Sequence, residues 1–320
     1  MHQDQKSDPV NLTVSEKLLH NFISQQKSSR RWSVLFRLLF FIWLFVFTGM
    51  LFDWFGDISL LFTGTDKSSY TAVIHIDGII DKNENANAEN AIENLRKASE
   101  DEKAKAIILA IDSPGGSPVQ AGQIYDEIMR LRKKYPKKHI YSVIGDLGAS
   151  GAYYVAAASD KIYANRASVI GSIGAYILGY DATALAQKLG ISRRIYKAGK
   201  NKLFMDPLVP DTAESIKNAE ENLSEIHQQF IDCVKKGRGK RLKIHHPGLF
   251  SGLTWTGESA LKIGLIDGLG DVNYVAEEII GEKNLIDFST RPNTIRDVFQ
   301  QLSLTAWNTV KSSLKTYLSS

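Results

Sequence analysis

The feature that most restricts the fold is the run AIILAI at residues 106–111, which contains no polar side chain. A strand exposed on one face alternates apolar and polar residues, whereas a continuously apolar strand is typical of burial on both faces. Burial on both faces requires helices on either side of the sheet. Segments with helical periodicity flank the run in sequence, at 85–99 and 118–132. The pattern therefore predicts βαβ units and a mainly parallel sheet of the α/β class.

The rest of the chain continues this alternation of apolar strands and amphipathic helices. Further strands are predicted at residues 70–76, 139–144, 161–164 and 193–196. Helices are predicted from Ser150 onward, at 181–189, along 211–236 and in two pieces within 256–280. We therefore expect one domain over residues 70–288. Apolar residues at steps of three or four predict an amphipathic helix in the C-terminal tail, residues 289–320.

The overall composition is that of a globular protein with little net charge. Of the 320 residues, 43% are hydrophobic and 23% are charged, which excludes a mainly disordered chain. The formal net charge of +4 gives no indication of a nucleic-acid partner. Cys233 is the only cysteine in the sequence, so an internal disulfide and a cysteine-rich zinc module are excluded.

An apolar block near the N-terminus predicts a single membrane-spanning helix. Residues 38–52 (LLFFIWLFVFTGMLF) carry no charge, and with their apolar neighbours they reach the ~20 residues that such a helix needs. Basic residues precede the block and acidic residues follow it: Lys27, Arg30, Arg31 and Arg37 before, Asp53 and Asp57 after. A cleaved signal peptide, the alternative, would have a shorter apolar core nearer the N-terminus.

The charge bias across this block predicts the topology. By the positive-inside rule, residues 1–31 form a cytoplasmic tail and residues 32–55 a single-pass signal-anchor in the inner or plasma membrane. Residues 56–69 then form a tether. The domain at 70–288 is expected on the periplasmic or extracytoplasmic side.

Three glycine-containing turns follow predicted strands, and one of them carries a candidate nucleophile. The turns are DSPGG at 112–116, GASGA at 148–152 and GSIG at 171–174. The carboxyl ends of parallel strands are where α/β proteins place their sites. Ser150, among small residues at a helix start, can be exposed on a tight turn where free N–H groups stabilise an oxyanion. The alternative role for this side chain is a helix N-cap.

A serine nucleophile needs a base, and the residues alone leave several candidates open. Among the seven histidines, His75 and His139 lie in predicted strands, and none has an orienting acid motif beside it. Lysine is the alternative, provided that desolvation lowers its pKa. The segment YKAGKNKLFM at 196–205 offers three: Lys197, Lys200 and Lys202. If Ser150 is not the nucleophile, Ser113 and Ser172 are the next candidates.

The motifs occur in one order along the chain: DSPGG, GASGAYYVAAASDKIYA, VIGSIG, a K-x-G-x-x-K segment and FSGLTWTGESALKIGLIDGLG. This ordered set resembles the signal peptide peptidase A (SppA-like) family of membrane-anchored serine proteases, in its short single-domain form. The resemblance covers roughly residues 70–285. It implies a fold like that of the caseinolytic protease (ClpP) and crotonase superfamily, and a Ser–Lys dyad that needs no cofactor or metal.

The family's functional residues fall on five positions of this chain. The resemblance implies Ser150 as nucleophile and Lys202, the last lysine of K-x-G-x-x-K, as general base. It implies the backbone N–H groups of Gly116 and Gly151 as oxyanion donors, and Ser172 as a residue that holds the lysine amine. Lys197 and Lys200 lie at positions that the family does not reserve for the base.

The resemblance also implies partners. Family members assemble as homo-oligomeric rings or domes, and in the short form a neighbouring subunit can supply the lysine. The implied substrates are remnant signal peptides or other membrane-associated peptides, handled beside the lipid bilayer. Two other functions stay open: a crotonase-like acyl-CoA enzyme on the same fold, and a catalytically silent membrane scaffold.

Overall fold

The structure, a computed structural model, describes residues 36–45, 47–48 and 68–290. The chain divides into two units, one of residues Lys67–Asn293 and another of residues Met1–Asp66 and Thr294–Ser320. The predicted cytoplasmic tail, nearly all of the tether and all but the start of the C-terminal tail lie outside the described residues. Residues 36–45 and 47–48, within the predicted anchor, are helical. Among the described residues, no helix has both the length and the apolar character to cross a membrane.

The described part of the unit Lys67–Asn293 contains eight strands in one sheet. They are β1 Tyr70–Asp77, β2 Ala104–Ser113, β3 Ile140–Ala149, β4 Lys161–Ala164, β5 Val169–Gly171, β6 Thr254–Thr256, β7 Gly268–Leu269 and β8 Leu285–Asp287. The order is β6-β5-β3-β2-β1-β8, and β4 lies between β3 and β7. All pairs are parallel except β5 with β6, which is antiparallel. The predicted α/β class with a mainly parallel sheet is confirmed.

Seven helices accompany these strands in the described residues of this unit. They are α1 Ala88–Glu100, α2 Pro118–Lys134, α3 Gly151–Ala156, α4 Thr183–Lys188, α5 Ala213–Arg238, α6 Gly257–Ile263 and α7 Val272–Tyr274. Helix α7 continues as a wider π-type segment, Val275–Ile280. Side chains cap several N-termini: Asn87 caps α1, Ser117 caps α2 and Thr212 caps α5.

The apolar run in β2 is buried on both faces, as its composition predicts. Ile107, Leu109 and Ile111 belong to the main core, which also includes buried residues of α1, α2, α3 and α5. Ile108 belongs to a second core on the other face, with Val275 and the helical segment that follows α7. One sheet therefore carries a layer of helices on each face.

Strand β3 changes partner halfway along, and this change positions the site. Its first half pairs with β4, from Tyr141 with Lys161 to Ile144 with Ala164. Its last three residues pair with β5, ending at Ala149 with Gly171. The turns that follow β3 and β5 therefore lie side by side.

Two parts of this arrangement differ from the sequence prediction. The strand predicted at 193–196 is wrong: these residues have no regular structure, and Ile195 and Tyr196 are exposed with no neighbouring strand to pair with. Strands β5, β6, β7 and β8 were not predicted, because two or three residues are too few to show an alternating pattern.

Candidate active site

Ser150 follows directly on β3 and begins α3 in a strained conformation. Its φ of 53° and ψ of −124° are unusual for a residue with a side chain. The Ser150 N–H donates to the Gly171 carbonyl at 2.8 Å, which fixes the turn against β5. Its side chain makes no capping hydrogen bond, so the N-cap alternative is wrong. The hydroxyl is half-buried and has no hydrogen-bond partner among the described residues.

The turn after β2 packs against the turn that carries Ser150. A Cβ added to Gly115, whose φ is +92°, would lie 2.5 Å from Gly151 N and 2.9 Å from Ser150 Cβ. A Cβ added to Gly151 would lie 3.2 Å from Gly116 N. Neither the Gly116 nor the Gly151 N–H donates a hydrogen bond within the described part of the chain. Two unsatisfied N–H groups thus lie near the Ser150 hydroxyl, the arrangement that an oxyanion requires.

Ile80, a residue without a predicted role, holds the Gly116 turn in place. The Ile80 N–H donates to the Gly115 carbonyl at 2.9 Å, and the Ser117 N–H donates to the Ile80 carbonyl at 2.8 Å. A Cβ on Gly116 would overlap that carbonyl, so only glycine permits this approach. Ser113, an alternative nucleophile in the sequence, is fully buried, and its hydroxyl accepts a hydrogen bond from Gly115 N.

Ser172 lies beside Ser150, one residue past β5. It also has a left-handed backbone, with a φ of 52°. Its N–H donates to the Leu253 carbonyl at 2.8 Å, and the Gly252 N–H donates to the Ile173 carbonyl at 3.1 Å. Trp255 of β6 covers Gly171, because a Cβ there would approach its ring within 2.8 Å. The segment FSGLTWTG, to which the sequence assigned no role, thus supports the strand end that carries Ser172.

No hydrogen bond joins the Lys202 side chain to Ser150 among the described residues. Lys202 lies in residues 175–212, which we call the arm, between β5 and α5. The Lys202 side chain is exposed and forms no ion pair or hydrogen bond with the described residues. Lys200 pairs with Glu214 at 2.6 Å, and Lys197 Nζ donates to the Lys200 carbonyl at 2.8 Å.

The environment of Lys200 argues against it as a base. Its hydrogen bond to Glu214 raises the pKa of the Lys200 ammonium, which favours the charged form that cannot accept a proton. Among the three lysines, Lys202 is the one whose amine has no bond to another described residue.

The arm exposes large apolar side chains and buries almost none. Helix α4, within it, contains no buried residue. The apolar residues more than half exposed are Tyr176, Leu178, Tyr180, Leu185, Leu189, Ile191 and Tyr196. Its contacts are mainly with itself: Arg193 pairs with Asp206 at 2.9 Å, and the Ala182 N–H donates to the Pro207 carbonyl. Such a patch is typical of an interface with another protein surface.

The other candidate bases are engaged elsewhere. On β1, His75 Nδ1 lies 3.6 Å from a carboxylate oxygen of Asp77. Just before β3, His139 Nδ1 lies 3.5 Å from a carboxylate oxygen of Asp160. Burial raises the pKa of the Tyr153 phenol, which donates to the Leu265 carbonyl and stays neutral. No sequence pattern pointed to His227 of α5, whose Nε2 lies 3.1 Å from the Ile173 carbonyl next to Ser172.

Two protein-family models match this chain. Residues 132–285 match the model of peptidase family S49, and residues 68–170 match the Clp protease model. The matched regions together contain Ser150, Lys202 and all three glycine-containing turns. The Clp protease match agrees with the sheet of mostly parallel strands described above.

The matching proteins share part of their length with this chain. A protein of Brucella abortus named Na(+)/H(+) antiporter NhaA is 43% identical over 189 residues, 59% of this chain but 25% of its own length. The putative signal peptide peptidase SppA of Enterococcus faecium is 32% identical over 64% of this chain and 58% of its own. The putative protease slr0021 of Synechocystis is 33% identical over 54% of this chain and 61% of its own length. The aligned part of this chain thus covers from a quarter to less than two thirds of the length of these proteins.

Proposed function

We propose that the chain is a serine endopeptidase of peptidase family S49, with Ser150 as its nucleophile. The observation that carries the proposal is the geometry at the end of β3. The Ser150 hydroxyl has no structural partner among described residues, and two unsatisfied N–H groups lie beside it. If Ser150 had only a structural role, its side chain would be expected to cap the helix, as the side chains of Ser117 and Asn87 do in this domain.

The proposed reaction proceeds through an acyl-enzyme. Neutral Lys202 accepts the Ser150 proton as Oγ attacks the peptide carbonyl carbon, and the N–H groups of Gly116 and Gly151 stabilise the oxyanion. The Lys202 ammonium then protonates the leaving amine, and the C–N bond breaks. Water, deprotonated by Lys202, attacks the ester, and Ser150 recovers its proton. Ser172 supports the amine.

We propose that a second copy of the chain completes each site. Lys202 lies in the exposed arm, and its amine forms no hydrogen bond with Ser150 of its own chain among the described residues. If the arm docks on a neighbouring copy, the apolar side chains of the arm become buried. The Lys202 amine would then be desolvated in the interface. Desolvation lowers the pKa of a lysine amine, which the mechanism requires. A head-to-tail interface of this kind closes into a ring or dome.

The substrates that fit this proposal are remnant signal peptides or other peptides released from the membrane. Support comes from the apolar block at 38–52 with its flanking charges. The large apolar side chains between residues 36 and 45 are exposed, as expected of a helix surrounded by lipid. The relative from Enterococcus carries a name with the same activity.

Labelling with a fluorophosphonate probe tests the nucleophile. We expect the purified full-length chain to be labelled and to cleave peptides, and the Ser150→Ala variant to do neither. The variant should fold, because such a change costs at most about 2 kcal/mol even at a capping serine. Ser113→Ala, which removes a buried hydroxyl, is the matched control and should still be labelled. A protein that is never labelled would be an acyl-CoA enzyme or a scaffold instead.

Reporter fusions test the topology. A reporter that is active only outside the cytoplasm should be active when fused after residue 70. Fusion before residue 30 should leave it silent, since the basic cluster is expected to stay in the cytoplasm. The reverse pattern would overturn both the localisation and the proposed substrate class.

A further inference from the structure

Six exposed lysines without ion pairs lie at the edge of the sheet where the parallel strands begin. None of their amines forms an ion pair or hydrogen bond with a described residue. We call this group the basic edge; its members are Lys133, Lys137, Lys161, Lys236, Lys240 and Lys243. Exposed lysines elsewhere in the domain, such as Lys97 and Lys262, have carboxylate partners one helical turn away.

The loops that carry these lysines converge on Asp160. Arg132, at the end of α2, donates to the Asp160 carboxylate at 2.7 Å, and the Ile140 N–H donates to it at 2.9 Å. Arg241, from the loop after α5, donates to the Asp160 carbonyl at 2.8 Å. Lys161 is the next residue. The turn after α2, the start of β4 and the loop after α5 therefore form one surface.

The register of the sheet places the entry of the chain at the same edge. Tyr70, the first residue of β1, pairs with Ala104 at the start of β2. Strand β3 begins beside Ile107, and Lys161 pairs with Tyr141 near the start of β3. Because these strands are parallel, all of them begin at this edge. The segment preceding residue 70 is the predicted tether to the membrane anchor.

Ser150 lies at the opposite edge. Strand β3 runs from Ile140 to Ala149, which at ~3.3 Å per residue separates the basic edge from Ser150 by about 30 Å. The lysines of this edge therefore have no part in the catalytic site.

Stabilisation of helix ends accounts for only some of these lysines. Lys133 and Lys236 lie in the last turns of α2 and α5, where a cation stabilises the helix dipole. Lys137 and Lys243 lie in loops, and Lys240 lies in the single 3-10 turn Gly239–Arg241 that follows α5. The carboxylates beside these loops pair with other cations: Asp160 with Arg132, Asp267 with Arg238 and Arg241, and Glu100 with Lys134. Asp101 and Glu102, in the turn before β2, act on Lys138, which is not one of the six lysines. None of the six lysines therefore has a carboxylate partner among the described residues.

We propose that the basic edge binds the anionic headgroups of the membrane to which the chain is anchored. The inference rests on the proposed anchor. A tether of 14 residues, 56–69, reaches at most ~50 Å, so the edge at which the chain enters stays close to the bilayer. Several lysines near an anionic surface add their attractions. Contact at this edge directs Ser150 away from the bilayer, toward peptides that have already left it.

Hydrogen exchange of the full-length chain in nanodiscs tests this orientation. We compare discs of phosphatidylcholine with discs that also contain phosphatidylglycerol. We expect peptides covering 132–140 and 235–246 to exchange several-fold more slowly with the anionic lipid, and peptides covering 175–190 to be unaffected. High salt should remove the difference, because it screens exposed charges. Equal exchange in both lipids overturns the proposal.

Charge-matched variants separate this inference from the catalytic one. The variant Lys137→Gln/Lys240→Gln/Lys243→Gln should lose the lipid-dependent protection and keep fluorophosphonate labelling of Ser150. The control Lys82→Gln/Lys97→Gln/Lys217→Gln removes three charges elsewhere and should keep both the protection and the labelling. Protection that persists in the first variant overturns the basic edge. A wild-type chain that shows the lipid-dependent protection but is not labelled by the fluorophosphonate overturns only the proposed peptidase function. If the full-length chain is not retained in the discs, both the proposed membrane anchor and the proposed lipid contact are wrong.

Discussion

Three residues other than glycine have a left-handed backbone in the part of the chain that the structure describes: Ser150, Ser172 and Met205. Each such conformation costs roughly 1–3 kcal/mol, and it persists when the surrounding structure requires it. Ser150 and Ser172 are neighbours at the ends of β3 and β5, and Met205 follows the lysine segment three residues after Lys202. Backbone strain in this domain thus coincides with the residues that the proposed mechanism uses.

Gly115→Ala should damage both stability and catalysis. The conformation at φ +92° disfavours a side chain, and the new Cβ would lie 2.8 Å from the Ala149 carbonyl oxygen and 2.9 Å from Ser150 Cβ. We expect a loss of roughly 3 kcal/mol or more in the free energy of unfolding, because strain and overlap add. Any folded protein should show a lower kcat, because the Ser150 turn must shift. Thermal unfolding and peptide hydrolysis measure the two effects.

Gly190→Ala is the matched control for this substitution. Gly190 also has a positive φ, +67°, but a Cβ there would have nothing within 4 Å. Only the conformational cost of about 1–2 kcal/mol remains, and kcat should be unchanged. Equal losses in the two variants would show that contact between Gly115 and the Ser150 turn is unimportant.

At the residue scale, the sequence supported the choice of Ser150 better than that of the base. Small residues around Ser150 predicted an exposed turn, and the free hydroxyl is consistent with that prediction. Alternation could not distinguish Lys200 from Lys202, because residues two positions apart would lie on the same face of an extended segment. The Glu214 partner of Lys200 comes from α5, fourteen positions later, and no local pattern reveals it.

At the scale of elements, long and strongly patterned segments were predictable. Strand β2, helix α2 and helix α5 lie within a few residues of their predicted bounds, since each has an apolar face that one period describes. The short strands β5 and β6 depend on pairing with each other and with β3 instead. The strand predicted in the arm failed for the related reason that the chain alone supplies no partner for it.

Acidic substitutions in the arm should abolish activity without unfolding the domain. Leu178 is 70% exposed and Leu189 is 64% exposed, so neither contributes much to the core. In Leu178→Asp/Leu189→Asp, the free energy of unfolding should change by no more than about 1 kcal/mol. The variant should be monomeric in sedimentation and inactive, because charges cannot enter an apolar interface.

Ile286→Asp provides the comparison for the arm variant. Ile286, on β8, is 40% exposed and lies outside the arm. This substitution should leave the oligomeric state and the peptide hydrolysis as in wild type. An arm variant that is monomeric yet fully active would show that one chain holds a complete site.

At the scale of the whole molecule, the proposal that two copies share each site makes a quantitative prediction. Ser150→Ala and Lys202→Met should each be inactive alone. Co-expressed in equal amounts, they should recover about a quarter of wild-type activity, since half the sites keep the serine and half of those receive an intact lysine. The specific activity of the mixed assembly measures this fraction.

Complementation distinguishes the two possible origins of the base. A site built within one chain would give no activity in the mixture, because every chain lacks one member of the dyad. The same experiment with Lys197→Met in place of Lys202→Met should give about half of wild-type activity, because Lys197 donates to a backbone carbonyl and is not required.

The exposed arm also has a consequence for how long a copy of this protein survives. Proteases cut segments that are exposed and make few contacts with a core, and α4 contributes no buried residue. In a monomeric copy the arm is therefore exposed to cellular proteases, whereas assembly would bury it. We expect the abundance of the chain in the cell to follow its assembly, so that orphan copies are removed before they accumulate.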